Sequence, residues 1–318
     1  MRSGSSTRRA RARESLYSQA KRVGVTDGDS MSTVEIKPPS QFHHAGMLSA
    51  RWDRPDPRED SFAVEHMDID LRECEFVRPP AALWCAVYLA LASRRGCHCR
   101  LLVPSNMGVC SYLASLGLFS VLRDLGIEVD DRDVHPGNPE KIVLPLTPFT
   151  TAAEASDLTN RAADSLSSSN LGPVNLTTIV TELFSELALN AAEHSRSPFG
   201  AMACIQFAEF SEGPRFACTV ADGGIGILES LRRNEALRRR ISYDWDALEL
   251  AIRERVSGTG HPHRGIGLYG VSEDVRVPGR SLLLHSGLGT LAITEELESS
   301  AKRSRLFPGM LAHLTIST

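Results

Sequence analysis

The chain has 318 residues, of which 42% are hydrophobic and 23% are charged, and its formal net charge is −4 at pH 7. These values are typical of a globular protein with two domains, and they exclude a generally basic, nucleic-acid-binding surface. No stretch approaches the ~20 apolar residues of a membrane-spanning helix, so no membrane contact is expected. The seven cysteines, an odd number in a chain without a secretory signal, predict free thiols in a cytoplasmic protein.

Residues 1–30 differ in composition from the rest of the chain. They are rich in Arg, Ser and Gly and show little apolar periodicity, which predicts a disordered N-terminal segment. No apolar core follows the arginines, so a signal peptide is not expected, and Met31 is an alternative start of the protein.

Strand and helix signals alternate between residues 60 and 145, which predicts a small α/β domain over 31–146. Pro79 and Pro80 open its most apolar helix, because proline is tolerated in a first helical turn, and Gly96 follows its end. The predicted elements, in chain order, are strands at 62–71 and 75–77, a helix at 81–94, a strand at 99–103, helices at 109–116 and 121–126, and an extended segment at 127–129.

This segment resembles STAS and STAS-like domains, which occur in anti-sigma-factor antagonists and related bacterial regulators. The resemblance lies in Glu75-Phe76-Val77, the helix after it, the Arg94-Arg95-Gly96 turn and the sequence LASLGLFSVL at 113–122. Phosphorylated members carry a Ser or Thr in the turn where this chain has Arg78-Pro79-Pro80-Ala81. Because proline has no hydroxyl, the resemblance implies a domain that docks a partner or dimerises, and does not accept a phosphate there.

Residues 147–172 join the two parts of the chain. The apolar spacing predicts a helix over 152–166, and Ser, Asn and Gly predict a loop over 167–172. We therefore interpret 147–172 as a helical linker and 173–318 as the second domain.

The stretch 181–195, TELFSELALNAAEHS, predicts one helix that carries a polar row on one face. Glu186 and Asn190 lie four residues apart, and Glu193 follows three residues later. A carboxylate or carboxamide left unpaired in a buried site would cost roughly 1–3 kcal/mol. The row therefore indicates either a solvated face or a bound polar ligand.

Two glycine-rich turns follow this helix. In VADGGIGI (220–227), Asp222 stands at a strand end before Gly224 and Gly226, a pattern that lets backbone approach a ligand. In GTGHPHRGIGLYGV (258–271), glycines lead into a helix start, where exposed N–H groups form an anion site. Taken singly, each turn is equally compatible with an ordinary surface loop.

In this order and spacing, the three motifs resemble those of the GHKL (histidine-kinase-like, Bergerat-fold) ATPase superfamily over about 171–318. The resemblance implies an α/β sandwich that binds ATP and Mg²⁺ under a glycine-rich lid. The chain has no P-loop, because no Gly-Lys-Ser/Thr sequence follows a glycine-rich turn.

The resemblance also implies a role for each matched residue. Asn190 is expected to ligate Mg²⁺, since an amide oxygen suits a hard cation. Glu186 is expected to act as the acid or base on an attacking water or an acceptor hydroxyl. Asp222 is expected to accept a hydrogen bond from the adenine amino group, and Gly224 and Gly226 to let the base and ribose lie against the turn.

The lid and the following helix start are expected to hold the phosphates. The residues implied in this role are Gly258, Gly260, Arg264, Gly265, Gly267 and Leu268. His194 either lies near the phosphates or caps the end of its helix. For the final glycine motif behind the adenine, both Gly289-Thr290 and Gly309-Met310 remain open. The second is favoured because STAS-coupled members of the family tend to have a Phe-Pro-Gly turn before the final strand, and Gly309 belongs to such a sequence here.

These features predict an ATP-binding regulatory protein of bacterial signalling or anti-sigma-type regulation. Slow ATP hydrolysis and Ser/Thr phosphorylation of a partner protein are both open as its chemistry. The alternative is a non-catalytic, nucleotide-gated interaction module. The expected partners are ATP and a regulatory protein such as an anti-sigma antagonist, and a homodimer is one open oligomeric state. A sensor histidine kinase is disfavoured because 146–172 contains no His.

Overall fold

The computed structural model describes residues 32–44, 55–130, 134–137, 142–169, 171, 174–210, 213–253 and 267–317. The predicted segment 1–30 and the start at Met31 lie outside this range. Within the described range the chain is α/β, as the sequence predicts, with a parallel sheet in its N-terminal part and an antiparallel sheet in its C-terminal part. None of the described helices is long and apolar enough to cross a bilayer.

The N-terminal unit is built on a four-stranded parallel sheet in the order β1-β3-β5-β6, beside a short parallel pair of β2 with β4. Its strands are β1 (Thr33–Ile36), β2 (Gln41–Phe42), β3 (His66–Asp70), β4 (Phe76–Val77), β5 (His98–Leu102) and β6 (Glu128–Val129). Its helices are α1 (Pro79–Arg94), α2 (Met107–Leu116) and α3 (Leu118–Asp124). The strand and helix predictions for this unit are confirmed, with boundaries shifted by a few residues.

Local chemistry explains where these helices begin and end. Pro79 and Pro80 occupy the first turn of α1, where no intrahelical N–H donor is needed. The side chain of Asn106 caps α2 by accepting the N–H of Gly108 at 3.0 Å. Gly117, with φ of 88°, ends α2 and begins α3, a left-handed conformation that favours glycine.

The C-terminal unit is built on a five-stranded antiparallel sheet in the order β10-β11-β9-β8-β7. Its strands are β7 (Ile142–Phe149), β8 (Ala201–Phe210), β9 (Gly213–Asp222), β10 (Arg280–Thr294) and β11 (Glu298–Ser317). Its helices are α4 (Ala152–Ser169), α5 (Val174–His194), α6 (Gly226–Leu231), α7 (Glu235–Arg238), α8 (Asp244–Ala251) and α9 (Gly267–Asp274).

Residues 142–169, which include most of the segment interpreted as a helical linker, contribute to the sheet and core of the C-terminal unit. Strand β7 pairs with β8 at the edge of the sheet, and Phe149 stands opposite Ala201. Helix α4 buries an apolar stripe that includes Leu158 and Leu166 in the same core as α5. This packing pairs the edge of strand β8 and buries the apolar face of α4. Both would be exposed to water if the segment were a solvated linker.

The antiparallel sheet is covered on both faces. Side chains along a strand alternate between faces, and on β8 Ala201, Ala203 and Ile205 join the core beneath α4 and α5. The intervening Met202 and Cys204 join a second core that contains α1 and the rest of the N-terminal unit. The C-terminal unit therefore carries helices on one face and the N-terminal unit on the other.

Substitution of Phe307 tests whether the two units share this core. It is fully buried on β11 in the cluster that includes α1. We expect Phe307→Ala to lower the free energy of unfolding by about 3–5 kcal/mol, because it leaves a large cavity where the units meet. Urea unfolding followed by circular dichroism measures this. Leu297→Ala, at a side chain that is 53% exposed, is the control and should change stability by less than ~0.5 kcal/mol. A loss below about 1 kcal/mol for Phe307→Ala would contradict the shared core.

Candidate functional site

Helix α5 presents the predicted polar row at its C-terminal half. Leu183, Phe184 and Leu187 are buried on its inner side, while Glu186 is exposed and Asn190 is half-buried. The Nδ2 of Asn190 donates to the backbone carbonyl of Glu186 at 2.8 Å. That bond fixes the orientation of the amide and uses its nitrogen, so its oxygen is available to an incoming ligand.

The turn after β9 rests on the end of this helix. The N–H of Ile225 donates to the carbonyl of Ser195 at 2.8 Å, and the N–H of Gly224 donates to the Asp222 carboxylate at 2.8 Å. A Cβ atom at position 224 would overlap the Ser195 carbonyl oxygen. Glycine is therefore required at 224 because two backbone segments touch there, a reason that the sequence analysis did not foresee.

Gly226 continues the same turn in the left-handed region, with φ of 72°. A Cβ atom there would lie 2.8 Å from the hydroxyl oxygen of Ser286. That hydroxyl accepts the N–H of Ile227 at 3.0 Å and donates to the carbonyl of Gly309 at 2.8 Å. Ser286 therefore links the start of α6 to β11, although no motif in the sequence pointed to it.

The structure distinguishes the two alternatives for the final glycine motif. Gly309 has φ of 106°, and a Cβ atom there would overlap the carbonyl oxygen of Asp222. Gly289 instead packs against the backbone of Asp244 and Trp245 at the start of α8. The pair that lies at the Asp222 turn is therefore Gly309-Met310.

The start of α9 lies against the polar row of α5. A Cβ atom on Gly267 would lie 2.5 Å from Oε2 of Glu186 and 3.1 Å from Nδ2 of Asn190. Leu268, the next residue, is half-buried and packs against the core beneath α4 and α5. The first and third motifs, separated by some seventy residues in sequence, are thus in direct contact.

The structure describes only some of the other residues that were predicted to lie near the phosphates. His194 lies half-buried in the last turn of α5, a position that a helix-capping role requires. Gly258, Gly260, Arg264 and Gly265 lie outside the described residues. Glu193, the third member of the polar row, is exposed.

Asp222 is the most electrostatically unusual residue of the site. It is only 3% exposed, and burial raises its pKa to about 7. The N–H groups of Gly224 and Met310 and the charge of Arg58 in the N-terminal unit act in the opposite direction on that pKa. A carboxyl poised near neutrality inside a protein favours a ligand that donates a hydrogen bond to its ionised form.

Within the described residues, no group of three or more His, Cys, Asp and Glu side chains could hold a metal ion by itself. A metal ion at Asn190 would therefore need most of its ligands from elsewhere, as Mg²⁺ usually does when it takes phosphate oxygens and waters.

No protein-family model matches the chain, and no curated protein matches it either.

Two glycine-to-alanine substitutions distinguish a glycine that close packing requires from one that it does not. Gly224→Ala must displace the turn from the Ser195 carbonyl, so we expect a loss of roughly 3 kcal/mol in the free energy of unfolding. Gly270→Ala is the matched control, because nothing lies within 4 Å of a Cβ atom there and helix α9 should gain about 0.5–1 kcal/mol. Thermal unfolding of both variants measures the contrast. Equal effects would contradict the close contact at Gly224.

The raised pKa of Asp222 predicts a pH-dependent difference in stability. Between about pH 4 and pH 7 the unfolded chain releases this proton while the folded protein holds it, so ionisation of Asp222 lowers stability as pH rises. We expect Asp222→Asn to become steadily more stable relative to the wild type over this window, with a constant difference above it. Urea unfolding at a series of pH values measures this, with the exposed Asp60→Asn as control. A difference for Asp222→Asn that is independent of pH would contradict the assignment.

Proposed function

We propose that this protein binds Mg-ATP between the polar row of α5, the Asp222 turn and the start of α9, and that it acts as a nucleotide-dependent regulatory protein. One observation carries the proposal. Gly267 lies against both Glu186 and Asn190, while Gly224 lies against Ser195 at the end of the same helix. The three motifs that resemble those of GHKL ATPases therefore converge on α5, although they are scattered over some eighty residues of sequence.

The Asp222 turn is the proposed base site. A buried carboxylate with an elevated pKa gains a partner when the exocyclic amino group of adenine donates to it, and a guanine carbonyl at the same point would meet an acceptor. Asp222 therefore selects adenine over guanine. Met310 stands where GHKL proteins carry a threonine, so no side-chain hydroxyl at this position can bond to the adenine. The base is then held by Asp222 and the backbone of the turn.

The polar row of α5, about one turn before the Asp222 turn, is the proposed phosphate site. Asn190, whose amide nitrogen donates to the Glu186 carbonyl, would offer its amide oxygen to Mg²⁺, and the ion would offset the negative charge of the phosphates. The first N–H groups of α9 begin at Gly267, which packs against Glu186 and the Asn190 amide, and N–H groups at a helix start can bind a phosphate. The charge of the metal ion and the partial charge of the helix start both favour the triphosphate.

Glu186 is the proposed acid or base. Its exposed carboxylate lies one turn from Asn190, where it can accept a proton from a water molecule or from a serine or threonine hydroxyl as that oxygen attacks the γ-phosphate. The attacking oxygen forms a bond to the γ-phosphorus as the bond to the β,γ-bridging oxygen breaks, so ADP is the leaving group. The N-terminal unit, whose Pro79 and Pro80 are buried in α1, serves as the docking unit for a regulatory partner protein.

A second candidate is a nucleotide-gated module without turnover. It is favoured by one feature: among the described residues, no hydrogen bond orients the Glu186 carboxylate. In this case ATP shifts the population of conformations and the chain performs no chemistry.

Four proteins test the proposal: the wild type and the variants Glu186→Gln, Asn190→Ala and Glu193→Gln. We expect the wild type to bind Mg-ATP but not Mg-GTP, and to release ADP slowly. Asn190→Ala should weaken Mg-ATP binding by at least tenfold, because the metal ion loses its protein ligand. Glu186→Gln should bind normally and lose ADP release. Glu193→Gln, exposed on the same helix, is the control and should resemble the wild type. Isothermal titration calorimetry and an ADP-release assay provide the measurements.

Two outcomes would redirect the interpretation. If the wild type binds no adenine nucleotide in the presence of Mg²⁺, the proposal is wrong. If Glu186→Gln releases ADP as fast as the wild type, or if neither protein releases any while both bind, Glu186 is not catalytic and the gated module is the better description.

A further inference from the structure

A second concave feature lies beside the Asp222 turn. It is a cleft of about 630 Å³ between α6, α7 and the segment that leads into α8. Ile225 and Ile241 give it an apolar floor, and three arginines and one glutamate surround that floor: Arg232, Arg233, Arg238 and Glu229. Nothing in the proposed nucleotide site uses these side chains.

The arginines of the cleft are partly pre-organised. Arg232 pairs with Glu229 at 2.8 Å and donates to the carbonyl of Ser242 at 3.3 Å, so its position is fixed from two sides. Arg238 donates through Nε to the carbonyl of Arg232 at 3.0 Å, which leaves its terminal nitrogens for another acceptor. Arg233 is exposed and forms no ion pair with any carboxylate that the structure describes. Fixed guanidinium groups lose less side-chain entropy when they bind an anion.

Asp244 lies close enough to this cluster for its charge to interact with that of Arg232. Asp244 begins α8 just beyond the cleft, but its carboxylate accepts the N–H of Leu288 at 3.0 Å and packs against Gly287. The lining itself carries three arginines against one glutamate and so has an excess of positive charge.

An aromatic ledge adjoins the cleft. Tyr243 directly follows the lining residue Ser242, is 54% exposed, and stacks on Trp245 with ring centroids 4.6 Å apart. Arginine, tyrosine and tryptophan next to a small apolar floor are the composition that protein–protein hot spots favour.

We propose that this cleft binds an acidic segment of a partner protein. Two guanidinium groups can each hold a carboxylate in bidentate geometry, and the isoleucine floor and the Tyr243 ring can hold an apolar side chain of the same segment. A nucleic acid fits less well, because the net charge of the chain is −4. The inference rests on the proposed function in one respect: α6 begins at Gly226 of the nucleotide turn, so the bound partner would lie beside the ATP.

Fluorescence anisotropy with the full chain tests the proposal. The probe is a fluorescein-labelled ten-residue peptide of alternating Glu and Leu with one central Phe, and the control peptide carries Gln in place of Glu. We expect the Glu peptide to bind the wild type at least tenfold more tightly than the Gln peptide. Arg233→Glu combined with Arg238→Glu should weaken binding of the Glu peptide by at least tenfold.

A matched charge change isolates the cleft. Arg239→Glu combined with Arg240→Glu alters net charge by the same amount on exposed arginines that do not line the cleft, and should change affinity by less than threefold. Equal losses in the two double variants, tighter binding of a ten-nucleotide single-stranded RNA than of the Glu peptide, or no binding of the Glu peptide in low salt would each overturn the proposal. Asp222→Ala separates it from the proposed function, since that variant should lose ATP binding and keep peptide binding.

Discussion

The hydrogen bond from the N–H of Ile225 to the carbonyl of Ser195 is the contact on which the arrangement of the site depends. It joins the end of α5 to the turn after β9 at a point where only glycine fits, at position 224. Because α5 carries Glu186 and Asn190 and the turn carries Asp222, this contact sets the distance between the two ends of the proposed ligand site. Ser286 and Gly309 then hold the turn from its other side through the hydroxyl of Ser286.

The same turn is also held by the N-terminal unit. A Cβ atom on Gly223 would lie 2.8 Å from the Phe199 ring and 3.0 Å from Cγ of Leu91 in α1, so the two units meet directly behind Asp222. Further along the interface, the hydroxyl of Tyr112 donates to the side-chain carbonyl of Gln206 at 2.8 Å. A sheet with one face open to water would not need these residues, and their packing explains why both faces of β8 are apolar.

The sequence predicted the parts of this molecule that are encoded locally. Pro79 and Pro80 before an apolar run, and Gly117 after another, are local signals, and α1 and α2 begin and end close to them. The spacing of Glu186 and Asn190 on α5 is likewise local. Strand β7 was not predicted, because it is recognisable only from its partner β8, which lies some fifty residues away.

The residues of the candidate site likewise fall into two groups, those that the local sequence identifies and those that it does not. The residues that motifs could identify, Asp222 and Gly267 among them, are those whose type is dictated by a turn or a helix start. Ser195, Ser286 and Arg58 act on the site through a carbonyl group, a hydroxyl group and a charge that arrive from other elements. A serine or an arginine at those positions is unremarkable in sequence, because its role exists only once the sheet and helices have assembled.

Asp222 shows what this assembly does to a single group. Burial raises the pKa of its carboxyl to about 7. Three weaker influences lower that pKa: the N–H groups of Gly224 and Met310 from the C-terminal unit, and the charge of Arg58 from the N-terminal unit. Arg58 is itself held by Asp56 at 3.0 Å, so the N-terminal unit supplies a guanidinium group of fixed position. The ionisation of the proposed base-recognising residue therefore depends on both units, and neither unit alone determines the protonation state in which a nucleotide would find it.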